Sequence, residues 1–357
     1  MSKKPLILGI ESSCDETAAS IISENEYGDP IVLSNIISSQ ENIHKEFGGV
    51  VPELAARSHL EKIDSIVKKA IDKSKVDIKQ IDAVASTAGP GLIVCLSVGL
   101  SFGKTFAATL NKPFIAINHL EGHALSPKLN SKLEYPYLLL LISGGHTQYL
   151  AVKNLSNYKR LGTTIDDAIG EAFDKTAKLL GIEFPGGPQI EILAKKGDPN
   201  KYDLPKPIFN KGGCNLSFAG LKTAILKISK NIKTDQEKFD LAASFQKIIN
   251  EILYKKTKTA FREFEKLIIP KEKKFVVAGG VAANKEIRKM LINLCEKENY
   301  DHIFPPTELC GDNAAMIAMV GLEKYKLKMF SKLDHPAIPR WPLDENAAFL
   351  KGAGVKL

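Results

Sequence analysis

The run Asn118-His119-Leu120-Glu121-Gly122-His123 sets two imidazoles four residues apart. On a helix that spacing puts both rings on one face, close enough to hold one metal ion between them. Neutral imidazole suits iron, zinc and other borderline ions. Two rings leave the coordination shell incomplete, so a third protein ligand is required, with an open position kept for chemistry. The plain alternative is two unrelated polar side chains at a helix start. A zincin-type peptidase is not indicated, because that pattern has Glu directly after the first His; Leu120 holds that place, and Glu121 points to a different side. The best carboxylate left to complete the set is Asp312, in a loop, Cys310-Gly311-Asp312-Asn313, that enters a helix of small residues. A simple helix N-cap is the competing use for it.

Such residues need a frame. Residues 6–22 read as a strand, a small polar turn and a second strand, and residues 138–152 repeat the design through Leu141-Ile142-Ser143-Gly144-Gly145-His146-Thr147. A buried strand that ends in Ser and Gly and turns back leaves backbone N–H groups facing open space, as phosphate-cradling loops do. One such hairpin opening each half predicts a duplicated architecture with a nucleotide clamped between the halves. Residues 52–74 carry Leu54, Ile63, Ile66, Val67, Ala70 and Ile71 at helical spacing. Strands are predicted over 81–85 and 114–117, with a helix over 94–110 between them, and the second strand delivers the chain to the His pair.

In the second half, residues 163–180 predict an amphipathic helix with Asp167, Glu171 and Asp174 on one face, where like charges repel unless they bind a cation or ribose hydroxyls. Pro185-Gly186-Gly187-Pro188 reads as a tight turn, with Glu191 starting the next helical stretch. Residues 206–213 read as a loop and 237–266 as a long helix. Residues 274–284 read as a strand, a glycine turn and a helix start, where Asn284 can hydrogen-bond a base or a phosphate. This is neither the dinucleotide fingerprint nor a Walker A loop. The tail from His335 onward, with Pro336, Pro339, Trp341 and Pro342, reads as extended across a surface.

At 357 residues the chain exceeds what one core organises, so two domains are expected. No apolar run approaches the roughly 20 residues of a membrane helix, and residues 6–10 are too short for a signal peptide, so no membrane partner and a cytoplasmic location are expected. Five cysteines, odd in number and scattered, are expected to be reduced and structural. A net charge of +8 permits a polyanionic partner without demanding one. The clusters Lys195-Lys196, Lys255-Lys256-Lys258 and Lys271-Lys273-Lys274 fit solvated helix faces equally well.

The residues together resemble one family. From Gly9-Ile10-Glu11-Ser12-Ser13-Cys14-Asp15-Glu16-Thr17 through Gly48-Gly49-Val50-Val51-Pro52-Glu53, Thr87-Ala88-Gly89-Pro90-Gly91, the His pair, Ser143-Gly144-Gly145-His146-Thr147 and Glu171-Ala172-Phe173-Asp174-Lys175, the order of motifs is similar to that of the TsaD family. It continues through Pro185-Gly186-Gly187-Pro188, Ala278-Gly279-Gly280-Val281-Ala282-Ala283-Asn284, Asp312 to Ala318 and Pro339-Arg340-Trp341-Pro342. The departures, Ala219 in place of a frequent Ser and the Gly212-Gly213-Cys214-Asn215 lead-in, lie outside the positions expected to do chemistry.

This family comprises tRNA threonylcarbamoyladenosine transferases formerly described as glycoproteases. The resemblance implies an α/β fold, the duplicated actin-like ATPase fold of sugar kinases and heat-shock ATPases, with two subdomains around a nucleotide cleft. Its expected parts are an N-terminal subdomain over 1–132, a C-terminal subdomain over 133–305, and a helix and tail over 306–357 that packs back on the first. It implies His119, His123 and Asp312 as ligands of one divalent ion, Fe2+ first and zinc second. It also implies Leu141, Ile142, Ser143, Gly144 and Gly145 as phosphate loop, Asp174, Gly187 and Glu191 as nucleoside contacts, and Asn284 on the adenine side. Glu16 would orient the reacting carbamoyl group. The implied reaction carries threonylcarbamoyl from threonylcarbamoyl-AMP to the exocyclic amine of adenosine 37 in tRNAs reading codons that begin with A, releasing AMP. Implied partners are tRNA, a paralogous actin-like subunit of TsaB type, a small ATPase of TsaE type and an upstream threonylcarbamoyl-AMP synthase. The rival readings are a metallopeptidase and a stand-alone actin-like ATPase.

Overall fold

The computed structural model describes residues 4–348. They divide into two compact units, one of 4–133 with Gly311–Glu345 and one of Glu134–Cys310 with 346–348. Residues 349–357 of the tail expected to pack back on the first subdomain lie outside the described residues. Among the described residues no helix is long and apolar enough to cross a membrane. All five cysteines are free thiols, and four are buried.

In the first unit, β1 (Ile7–Glu11) is buried along its whole length and pairs antiparallel with β2 (Glu16–Glu24), which pairs antiparallel with β3 (Pro30–Ser39). A short α1 (Glu41–Lys45) and the long α2 (Pro52–Ser74) follow, α2 starting with Pro at its first position, where the missing N–H costs nothing. Then come β4 (Ala83–Gly89), α3 (Ile93–Thr109), β5 (Phe114–Asn118) and α4 (His119–Leu125), with β4 parallel to both β1 and β5. The sheet order is β3-β2-β1-β4-β5.

The second unit repeats it. Strands β6 (Tyr137–Ile142), β7 (Thr147–Asn154) and β8 (Asn157–Thr163) form an antiparallel meander. Helices α5 (Ile169–Leu179), α6 (Gly186–Ala194), α7 (Ala219–Ser229) and α8 (Asp235–Leu267) precede β9 (Lys274–Ala278), α9 (Lys285–Glu298) and β10 (Asp301–Ile303). The order β8-β7-β6-β9-β10, with β6 parallel to β9 and β9 to β10, matches the first sheet strand for strand. The duplicated hairpins are therefore the first two strands of two equivalent sheets.

The chain then returns to the first unit as α10 (Ala314–Lys326), buried all round from Ala314 to Leu322. A helix apolar on every side belongs in a core, and each fully buried Met, Ile, Val or Leu contributes roughly 1.5–3 kcal/mol. Gly9 lets α10 lie directly on β1: a Cβ there would come within 2.5 Å of the Ala314 carbonyl oxygen and 2.6 Å of the Ala318 nitrogen. The described tail from His335 is extended over 335–338 and then bends at 339–340 and turns over 343–347. Ile338 N–H donates to Ala88 O at 2.7 Å, and Asn118 Nδ2 donates to Trp341 O at 3.0 Å.

Three expectations about elements are corrected. The helix expected over 163–180 begins at Ile169, because Ile165 N–H is taken by Leu216 O at 2.9 Å and Thr164 bridges to Leu216, which keeps this stretch extended. Pro185-Gly186-Gly187-Pro188 is not a free turn: Gly186 begins α6 and Pro188 sits in its first turn, where a ring without N–H is tolerated. Glu191 thus lies mid-helix rather than at a helix start.

Candidate metal centre

The His pair is placed by a cap. Asn118 ends β5 with extended backbone, and its Oδ1 accepts the Leu120 N–H at 2.9 Å, so α4 begins at His119. All seven residues of α4 are buried, and the two rings meet edge to face with centroids 4.8 Å apart. Asp312 arrives from the start of α10. The expected contest between cap and ligand is resolved there by its neighbour: Asn313 Oδ1 caps α10, accepting the Met316 N–H at 3.1 Å, which leaves the Asp312 carboxylate for the histidines.

One oxygen, Asp312 Oδ1, lies 3.0 Å from His123 Nε2 and 3.4 Å from His119 Nε2. A ligand atom from each of the three residues falls within 4.8 Å of the other two. Two imidazoles and one carboxylate, converging on one point from half-buried or buried positions, fit a borderline divalent ion and leave part of its shell open.

Sequence reasoning missed the support behind them. Glu11, 1% exposed at the end of β1, places Oε2 3.0 Å from His119 Nδ1. Its carboxylate also accepts from the Thr87 hydroxyl at 2.6 Å and the Ser13 N–H at 2.6 Å. A carboxylate on Nδ1 holds that nitrogen protonated and leaves Nε2 free to ligate, the arrangement that supports metal-bound histidines. The signal lay in the sequence as a charged residue ending an apolar strand. Its partner, 108 residues away, was not legible. His123 has no such support: its Nδ1 is buried without a hydrogen-bond partner among the described residues.

Electrostatics follow from the crowding of carboxylates. Burial alone would lower the His119 pKa, but Asp312 and Glu11 beside it raise it well above 6.5. Burial works against ionised Asp312, yet His119 and His123 hold its carboxyl well below 3.8. Glu16, half-buried at the start of β2, is driven the other way: burial, then the charges of Asp312 and Asp15, lift its carboxyl well above 4.5. A site so rich in negative charge favours a cation.

In the second unit the sequence-predicted residues fall into two groups. Leu141 and Ile142 are fully buried and paired in the ladder, and Ser143 donates its N–H to His146 O at 2.8 Å and accepts the Gly170 N–H at 3.2 Å, so the backbone that turns beyond the ladder is that of Gly144 and Gly145. Gly170 at the start of α5 packs on this loop, where a Cβ would lie 2.7 Å from Gly144 Cα. The other group follows α6. Asp174 Oδ1 accepts the Gly186 N–H at 2.8 Å, Gly187 is in the first turn, and Glu191 Oε1 accepts the Lys285 N–H at 3.2 Å beside Asn284. Asn284 is occupied by protein: Oδ1 caps α9 through Ile287 N–H at 2.9 Å, and Nδ2 donates to Gln246 Oε1 at 2.9 Å. The expected carboxylate face of α5 is broken up, since Lys175 bridges Asp167 at 2.6 Å and Glu171 at 3.0 Å.

Comparison with known proteins agrees with this framework. HypF from T. kodakarensis superimposes with a TM-score of 0.61 at 15% identity over 93% of this chain and 49% of that one. A full-length HypF gives 0.57 at 14% identity over 92% and 47%. The chain thus spans about half the length of these proteins, and the likeness is one of fold, the duplicated actin-like α/β fold. By sequence, the chain is 78% identical over all 357 residues of both chains to the tRNA N6-adenosine threonylcarbamoyltransferase of Pelagibacter ubique (strain HTCC1062). It is 53% identical to that of Rickettsia rickettsii (strain Sheila Smith), over 95% of this chain and 98% of the relative. Residues 31–319 match the family model described as tRNA N6-adenosine threonylcarbamoyltransferase, and the chain belongs to this family, TsaD.

Proposed function

We propose that this chain transfers threonylcarbamoyl from threonylcarbamoyl-AMP to the exocyclic amine of adenosine 37 in tRNAs reading codons that begin with A, with release of AMP. The observation that carries the reading, beside the family match, is the convergence of His119, His123 and Asp312 on one point with Glu11 behind His119. These three side chains would hold one divalent ion, iron in the first instance. When bound, the ion supplies Lewis acidity toward the oxygens of the donor.

The chemistry asks for positioning more than for strong acid or base. A carbamoyl-phosphoric anhydride carries its own leaving group, and an aryl amine is a weak nucleophile, so alignment and charge stabilisation account for most of the rate. In this reading the backbone of Ser143, Gly144 and Gly145 binds phosphate, and Asp174 and Glu191 bind ribose hydroxyls. Asn284 serves the adenine side chiefly by fixing the start of α9, because its carboxamide is already committed. Glu16, beside the same cluster, would orient the carbamoyl group. Glu121, the carboxylate a peptidase reading would call on as base, is 2.8 Å from Lys324 Nζ in a buried ion pair. The partners in this reading are tRNA, a paralogous actin-like subunit, a small ATPase and a separate synthase for the adenylate.

The test is nucleoside mass spectrometry of tRNA incubated with this chain, its partners and threonylcarbamoyl-AMP. Threonylcarbamoyladenosine should form with wild type and be lost in His119→Ala and Asp312→Ala. Unmodified tRNA with folded, metal-loaded protein and active partners would refute the reading. Threonine, bicarbonate and ATP should yield no product with this chain alone.

A further inference from the structure

Most lysines of the clusters conspicuous in the sequence are used internally. Lys258 pairs with Glu298 at 2.6 Å, Lys273 with Glu265 at 2.8 Å, and Lys274 with Glu272 at 2.5 Å. Lys255 lies over the Phe209 ring, and Lys256, 1% exposed, donates to Lys211 O at 2.8 Å and Gly213 O at 3.2 Å. The positive charge free to meet a partner lies elsewhere. Between Asp203 and Asp235 there is no Asp or Glu, but six lysines, Lys206, Lys211, Lys222, Lys227, Lys230 and Lys233, against a net charge of +8 for the whole chain. Lys206 is neutralised by Glu251.

The remaining lysines of this segment stand on a defined face. Helix α7 buries Leu221 and Ile225, while Lys222, Lys227 and Lys230 are exposed. At about 100° per residue these three fall within an arc of about 140° on the side opposite the buried pair. Lys233 is exposed just beyond the helix, where its own N–H donates to the Glu237 carboxylate at 2.7 Å, and the ammonium groups of these four lysines form no ion pair among the described residues. The loop before α7 is fixed from below by Lys256, and its Pro207 rests against Gly220 in the first turn of α7. We propose that this face of the second unit is a docking surface for the phosphate backbone of tRNA, with Lys222, Lys227, Lys230 and Lys233 as its contacts. The proposal rests on the tRNA reading above. Ammonium groups held in no ion pair have none to break when they meet a phosphate, and each contact releases counterions, so affinity must carry a salt signature.

The test measures the affinity of the full-length chain for unmodified tRNA over a series of salt concentrations, and KM and kcat for tRNA in the transfer assay. The variant is Lys222→Gln/Lys227→Gln/Lys230→Gln/Lys233→Gln. A second variant, Lys68→Gln/Lys69→Gln/Lys73→Gln/Lys79→Gln, removes the same charge from an exposed stretch interleaved with Asp64, Asp72 and Asp77. Each lost phosphate contact removes about 0.7–0.9 from the slope of log K against log salt, so the first variant should lose about 3. Its Kd at low salt should rise at least about tenfold and its KM for tRNA should rise with kcat kept, the second variant staying near wild type. Equal Kd, slope and KM in the two variants would overturn the surface while leaving the transfer reaction standing, and would leave this face to solvent or to an acidic protein. A wild-type chain that neither binds tRNA at any salt nor modifies it would remove the tRNA reading and this surface together.

Discussion

Glu11 spends a buried negative charge on one nitrogen of His119, and removing a carboxylate of this kind typically costs 10–100-fold in metal affinity. Glu11→Gln should therefore bind zinc or iron about 10–100-fold more weakly by calorimetric titration, with the fold kept; wild-type affinity would mean that the carboxylate does not orient the ring. The same residues set the pH dependence. In the metal-free chain the His119 pKa is raised above 6.5, so the stabilisation it brings is complete below about that pH and lost as pH rises through the folded value. Asp312, depressed below 3.8, contributes above that value and loses its share as pH falls through its folded pKa. The metal-free site is thus most stable in mildly acidic solution and weakens toward alkaline pH, where an ion that needs unprotonated imidazole binds best. The Tm difference between loaded and chelator-treated protein should widen from about pH 6 to about pH 8.5, and a constant gap would show that no proton is exchanged for metal at His119.

Two short contacts hold α4, which carries the histidines, and the turn Ser126–Leu129 after it to α10, which follows Asp312. Lys324 Nζ meets Glu121 at 2.8 Å with both side chains nearly buried, and Lys128 Nζ meets Glu323 at 2.8 Å. Removing one partner of a buried pair leaves an uncompensated charge and costs about 3–5 kcal/mol, whereas replacing both with apolar residues is often close to neutral. Lys324→Met should lower the urea midpoint and weaken metal binding, and Glu121→Met/Lys324→Met should recover much of the stability. A single variant as stable as wild type would show that the pair does not brace the site. At this scale the legible elements were those with a one-sided or fully apolar pattern: β1, β6, β9, and α2, whose bounds read directly from its spacing. Edge strands β3 and β8 were not read, because only one residue of β3 and three of β8 are buried and no alternation stands out in Pro30–Ser39 or Asn157–Thr163. Helix α7 was missed behind a loop rich in Pro and Gly. Residues 163–168 imitated helix spacing while their backbone hydrogen bonds went to a segment some 50 residues on.

Across the whole chain, the duplication was legible because each half opens on the same buried hairpin, and the His pair because four-residue spacing is local. Asp312 was legible only by elimination, and Glu11 not at all, since both act across more than a hundred residues. Charge was the least legible property: most of the densest lysine clusters proved to be engaged within the protein, while in the sparser run before Asp235 only Lys206 forms an ion pair among the described residues. The return of α10 to the first unit has a consequence for the order of events at the ribosome. Asp312 is made 189 residues after His123, with nearly the whole second unit synthesised in the interval. A nascent chain that has emerged as far as Cys310 carries two of the three proposed ligands and lacks the helix that fills the core beneath β1. On the reading proposed above, metal acquisition would be a late step of biogenesis, closed to truncated translation products however well their first strands have formed.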